Sequence, residues 1–139
     1  MTNLALSIAL QASLLTAGGH SHNYKEAYNN TVQSGKPLLV LIGAEWCPGC
    51  RTMKNSVIPA LEKKGKLSKV EFAYVNADSQ GDLAGKLMKG TSIPQLIIFQ
   101  KNGKGWTRHQ LTGPQSVEET VSFVNQGVTK PASAKTSRQ

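Results

Sequence analysis

The sequence predicts one α/β domain with a central mixed β-sheet flanked by helices, and three observations lead there. Residues 38–42 read Leu-Leu-Val-Leu-Ile, a continuous apolar run that suits a strand covered on both faces. A helical pattern separates this run from the next strand-like stretch, so the two strands pair in parallel through a crossover. Asn102-Gly103 sits between two later strand-like stretches, and Asn-Gly tolerates the positive φ that a tight antiparallel hairpin requires. A chain of 139 residues is enough for one hydrophobic core. With 39% hydrophobic and 17% charged residues the composition is that of a globular protein, not a disordered one.

Taken in order, residues 1–19 form a leader. Residues 1–24 hold no Lys, Arg, Asp or Glu, and Leu4 opens a stretch of mostly Leu, Ile and Ala that closes on Ala17, Gly18 and Gly19. That pattern is expected of a secretory signal peptide, with a packed N-terminal helix or a disordered leader as the alternatives. No apolar run reaches the ~18 residues of a membrane span, so stable membrane insertion is not expected. The domain is expected over 20–127. Its first helix covers 21–34, capped by Ser21 or Asn23, with Tyr24, Ala27, Tyr28 and Val32 on its packed side. Gly35-Lys36-Pro37 ends it, and the strand 38–42 follows. A second helix starts at Pro48 and buries Met53, Val57, Ala60 and Leu61, with Pro59 bending it. The strand 69–76, the helix 77–89, the strands 96–99 and 106–111, and the helix 114–126 complete the order. Val117, Val121 and Val124 are the expected buried side of the last helix, and Tyr24, Tyr28, Phe72 and Phe99 are read as core.

The net charge of +8 raises the question of nucleic acid. Three of those charges, on Lys130, Lys135 and Arg138, belong to a flexible basic tail over 128–139. The rest are spread over the domain, densest at Arg51, Lys54, Lys63, Lys64 and Lys66, without interleaved aromatics and without a groove-reading basic helix. A solvated basic face is expected, and no nucleic-acid partner.

The chemistry lies in the two cysteines, which occur in Trp46-Cys47-Pro48-Gly49-Cys50. Two cysteines exclude a disulfide-dense scaffold, and a four-thiolate zinc site from one chain. At a helix start, free backbone N–H groups and the positive end of the helix dipole stabilise a thiolate and lower its pKa. Cys47 takes that position as an exposed thiol, and Cys50 lies one turn on, more covered. An exposed thiolate attacks a disulfide, and the covered partner resolves the mixed disulfide that results. Arg51 in place of His after the second cysteine excludes c-type haem attachment. Zinc held with His20 or His22 and a purely structural disulfide stay open as alternatives; the latter is disfavoured because a short loop gains least from closure.

The segment Ala44-Glu45-Trp46-Cys47-Pro48-Gly49-Cys50 resembles the active-site segment of the thioredoxin family, and Ile93-Pro94 resembles its Ile followed by cis-proline. Asn102-Gly103 and Gly113 also fit, and the resemblance runs from about Tyr24 to Gly127. It implies a thioredoxin fold, Cys47 as attacking and Cys50 as resolving thiol, and Pro94 in cis facing them, with the Ile93 backbone offered to an extended substrate. Trp46 would add an apolar docking surface. The chain departs from the family pattern in four ways. Pro48 and Gly49 reverse the common Gly-Pro order and should retune the redox potential. Leu41 stands where many members carry a buried acid, and Tyr74 where its lysine partner falls. The family's first strand is missing or lies in the N-terminal stretch. Glu45 is read as a solvated surface residue.

The expected function is thiol–disulfide oxidoreductase through Cys47 and Cys50, acting as a monomer on protein disulfides or dithiols, with an upstream reductase as a further partner. No cofactor or metal is required. The alternative is a thioredoxin-like binding module whose disulfide is structural, suggested by Leu41 and Tyr74. A cleaved leader would place the domain outside the cytoplasm, in the periplasm or secreted; without one it would be cytoplasmic.

Overall fold

The computed structural model describes residues 22–129. The leader, His20, Ser21 and the tail from 130 onward lie outside the described residues.

Helix α1 (Tyr24–Ser34) is capped by Asn23, whose side chain accepts the Glu26 N–H, and it ends on left-handed Gly35. Strand β1 (Leu38–Gly43) is buried along its whole length, as the apolar run predicts. Helix α2 (Pro48–Thr52) passes through a π-helical turn (Met53–Val57) into α3 (Ile58–Lys63). The Ile58 N–H reaches back to the Met53 carbonyl. Pro59 has no N–H to offer and its ring crowds the preceding turn, so the helix widens just before it.

Strand β2 (Glu71–Asn76) starts two residues later than expected, and helix α4 is shorter, Gly81–Leu87. Residues between β2 and α4 turn instead, because the Asn76 side chain accepts the N–H groups of Asp78 and Ser79. Strands β3 (Gln95–Asn102) and β4 (Gly105–Thr112) are longer than the apolar runs that announce them. Their hairpin closes on Gly103-Lys104, with Gly103 at φ 58°. Helix α5 (Val117–Thr129) completes the order.

The described sheet runs β2-β1-β3-β4. β1 is parallel to β2 and antiparallel to β3, and β3 is antiparallel to β4. This is the mixed sheet the sequence predicts. One face packs Leu39, Leu41, Leu96 and Ile98 against Met53, Ile58, Leu61 and Phe123. The other packs Leu38, Val40, Ile42 and Ile97 against Ala27 and Ala84. Alternate residues of β1 serve the two layers, as the period of a strand requires.

Two expected faces are rotated. α1 buries Ala27 and Thr31, while Tyr28 and Val32 are exposed. Small side chains bring the helix axis close to the sheet and leave the larger ones outside. α5 buries Thr120, Phe123, Val124 and Gly127, with Val117 and Val121 only half covered. Its start is a capping box: the Ser116 hydroxyl accepts the Glu119 N–H at 3.1 Å, and the Glu119 carboxylate accepts the Ser116 N–H at 2.8 Å. Phe72 is core as expected, whereas Tyr24 and Phe99 border the core from partly buried positions.

Candidate active site

The site forms where β1 ends and α2 begins. Cys47 caps α2: its φ/ψ of −87°/115° is extended, and its sulfur accepts the Cys50 N–H at 3.3 Å. Pro48 follows as the first helical residue, where its missing N–H is no loss. Cys47 and Cys50 are joined in a disulfide with Cα atoms 5.2 Å apart. The helix start thus directs the Cys50 N–H at the Cys47 sulfur, an electrostatic setting that favours a thiolate.

The exposed Cys47 expected from the sequence is not what the structure has. Cys47 retains 7% exposure and Cys50 1%. The order is as expected, but both cysteines are buried, with Ala44 and Ile93 packed against them. Two glycines make the tight closure possible. A Cβ on Gly43 would lie 2.8 Å from the Cys50 Cβ and 3.0 Å from its sulfur. A Cβ on Gly49 would lie 2.6 Å from Cγ of Pro114. The Pro-Gly order between the cysteines therefore has a local packing reason: the second position abuts the loop that leads into α5.

The Ile93–Pro94 peptide is cis, and Ile93 packs on the disulfide. The Pro94 carbonyl accepts the Gly113 N–H at 2.8 Å. Gln95, fully buried, staples the preceding loop: its amide donates to the carbonyls of Lys89 (2.9 Å) and Ser92 (3.0 Å) and accepts the Lys89 N–H. Sequence reasoning missed Gln95. The available signal was a lone amide between Pro94 and an apolar run, since a buried polar side chain has to find partners.

Trp46 lies outside the core. It is 67% exposed, and its indole N–H donates to the Asp78 carboxylate at 2.9 Å. With Asp78, Ala84, Met88 and Ile93 it borders an open groove of about 440 Å³. Glu45 is a surface residue, as read from the sequence, and pairs with Lys54 at 2.8 Å. That hydrogen bond raises the Lys54 pKa above its ordinary value. The Lys54 ammonium also lies 4.4 Å from the centre of the Tyr74 ring. His22, the described member of the suggested zinc pair, instead faces Glu62 at 3.4 Å and meets Phe72 edge-on.

A disulfide of Cys-x-x-Cys spacing at a helix start, faced by a cis-proline loop on a four-stranded mixed sheet, defines a thioredoxin-fold domain. The thioredoxin family model matches residues 20–126. A thioredoxin of Mycoplasma pneumoniae is 31% identical over 93 residues, covering 67% of this chain and 84% of that protein. The chain is also 23% identical to the thiol:disulfide interchange protein DsbD of Actinobacillus pleuropneumoniae, over 69% of its own length but 17% of DsbD. Among solved structures, a thioredoxin from Thermus thermophilus superposes with a TM-score of 0.67 at 22% identity, over 80% of this chain and 88% of the other. The chain belongs to the thioredoxin family.

Proposed function

We propose that this protein is a thiol–disulfide oxidoreductase acting on protein disulfides or dithiols through Cys47 and Cys50. The observation that carries the proposal is the Cys47–Cys50 disulfide at the start of α2, with the Cys47 sulfur accepting the Cys50 N–H. In the reduced protein the Cys47 thiolate attacks a substrate disulfide. A Cys47–substrate bond forms, and the other substrate sulfur leaves with the electron pair. Cys50 then gives up its proton and attacks the Cys47 sulfur. This closes the disulfide and releases the second substrate thiol. The reverse sequence oxidises a dithiol, and an upstream reductase would return the protein to the dithiol form.

Ile93, Pro94 and Trp46 are assigned to substrate binding, with an extended segment lying across the cis-proline loop and into the groove beside Trp46. Pro48 and Gly49 are assigned to setting the redox potential. The protein works as a monomer. Its compartment is extracytoplasmic if the leader is a signal peptide, and cytoplasmic otherwise.

Insulin disulfide reduction tests the activity: the reduced protein should precipitate insulin chains catalytically, and Cys47→Ser should not. Cys50→Ser separates an exchanger from a docking module. An exchanger accumulates mixed disulfides through Cys47, whereas a docking module binds its partner without any covalent product.

A further inference from the structure

Resolution of a mixed disulfide requires Cys50 to lose its proton, and Cys50 is buried at 1% exposure. Burial in apolar surroundings raises a thiol's pKa and holds it in the unreactive form. Most of its surroundings are apolar. Ala44 and Ile93 pack on the disulfide, and Leu41 stands on the adjoining strand. The exception enters through the gap left by Gly43. The point that a Gly43 Cβ would occupy is 3.0 Å from the Cys50 sulfur and 3.6 Å from the Tyr74 hydroxyl. The two groups thus border one small space, opened because β1 ends in a residue without a side chain. Tyr74 pairs with Leu41 across the parallel β1–β2 register, and Gly43 lies two residues on, on the same face.

We infer that the Tyr74 hydroxyl is the polar group that serves Cys50, donating a hydrogen bond that stabilises the Cys50 thiolate during exchange. Tyr74 is a positioning residue acting through Cys50. The inference deepens the oxidoreductase reading and rests on it. Three charged groups face Tyr74. Lys54 comes from the π-helical turn and lies over the ring, Glu45 from the loop after β1, and Asp78 from the loop after β2. β1 presents only uncharged residues on this side, Leu39, Leu41 and Gly43. Burial, more than any of the charges, pushes the phenol's pKa above 10.0, with Lys54 opposing and Glu45 and Asp78 adding to it. A phenol that keeps its proton donates a hydrogen bond; it does not act as the base. In resolution the Cys50 proton passes to water and a Cys50–Cys47 bond forms. The Cys47–substrate bond breaks, and the departing sulfur takes the electron pair and then a proton from water.

The test reads Cys50 alone, in reduced Cys47→Ser protein, from its ¹³Cβ resonance against pH. Adding Tyr74→Phe, which keeps the ring, should raise the Cys50 midpoint by about one pH unit, the scale on which a hydrogen bond to the charged form acts. In the otherwise complete protein it should slow resolution near neutral pH about tenfold. A second reading needs no change at Tyr74: its ¹³Cζ resonance in Cys47→Ser should step at the same pH as Cys50. A Cys50 midpoint unmoved by Tyr74→Phe, or a Tyr74 resonance blind to Cys50 titration, overturns the inference. Failure of the unaltered protein to reduce insulin would instead overturn the oxidoreductase reading, and the Cys50 titration would still decide the proposed Tyr74–Cys50 hydrogen bond.

Discussion

The two ends of the sheet solve opposite packing problems. Where β1 runs into α2, space is so short that a Cβ at either of two glycines would force a neighbour to move. Gly43 faces Cys50 and Gly49 faces Pro114, each too close for a Cβ. At the hairpin turn the backbone is uncrowded: a Cβ on Gly105 would meet nothing nearer than the Asn102 carbonyl at 3.8 Å. Large aromatics lie exposed there. Tyr28 stacks between Tyr24 and Trp106, with ring centres 6.1 and 6.0 Å away. The lesson concerns precision. The cysteine end holds a particular sulfur position through close backbone approach, while the hairpin end covers the core edge with stacked rings.

The contrast breaks most visibly at the glycines. Gly43→Ala and Gly49→Ala should each cost about 1–3 kcal/mol, the usual penalty for overpacking, measured by denaturant unfolding of the oxidised protein. Gly43→Ala should also impair exchange, because it pushes directly on Cys50. Pro114→Ala should recover much of the Gly49→Ala loss but none of the Gly43→Ala loss; equal recovery of both would refute the assignment of separate contacts. Gly105→Ala is the control and should stay within about 0.5 kcal/mol of the parent.

A smaller effect is expected at the open end. Trp106→Ala should remove about 0.5–1.5 kcal/mol of ring contact beyond its area term, with insulin reduction unchanged. A drop in activity without a drop in stability would show that the aromatic edge is not merely a cover.

The smallest effect depends on pH. The Ser116 N–H, then the Ser116 hydroxyl, holds the Glu119 carboxyl below its ordinary 4.5. A depressed folded pKa gives stabilisation that is complete above the unfolded value and disappears as pH falls through the folded one. The parent should therefore lose slightly more thermal stability than Glu119→Gln on acidification below about pH 4.5. Parallel acid profiles would remove the capping box from the account.

Much of this was legible from residue order. The apolar run before the cysteines, the crossover to β2, the Asn102-Gly103 hairpin and Pro48 opening a helix all appear in the chain as predicted. These features are local: period, turn chemistry and the conformational limits of proline and glycine act within a few residues. The Ser116-to-Glu119 capping box was equally local and was overlooked. Other features were not legible. Tyr24, Ala27, Tyr28 and Val32 share a helical side by spacing, yet α1 turned Ala27 and Thr31 inward, since the sheet decides how near a helix can come. Trp46 turned to Asp78, which lies far along the chain. Gln95 took its partners from the loop just before it, at Lys89 and Ser92.

The sequence by itself determined the fold class and the chemical centre. The alternation of strand and helix patterns specifies the mixed sheet, and two thiols two residues apart at a helix start specify the redox pair. Only the tertiary structure decided how those thiols are housed. Ile93 against the disulfide, Pro114 against Gly49 and the Tyr74 hydroxyl at the gap beside Gly43 come from segments far along the chain. The physical reason is that thiolate stabilisation depends on distances of a few ångströms between such segments, and packing alone sets those distances.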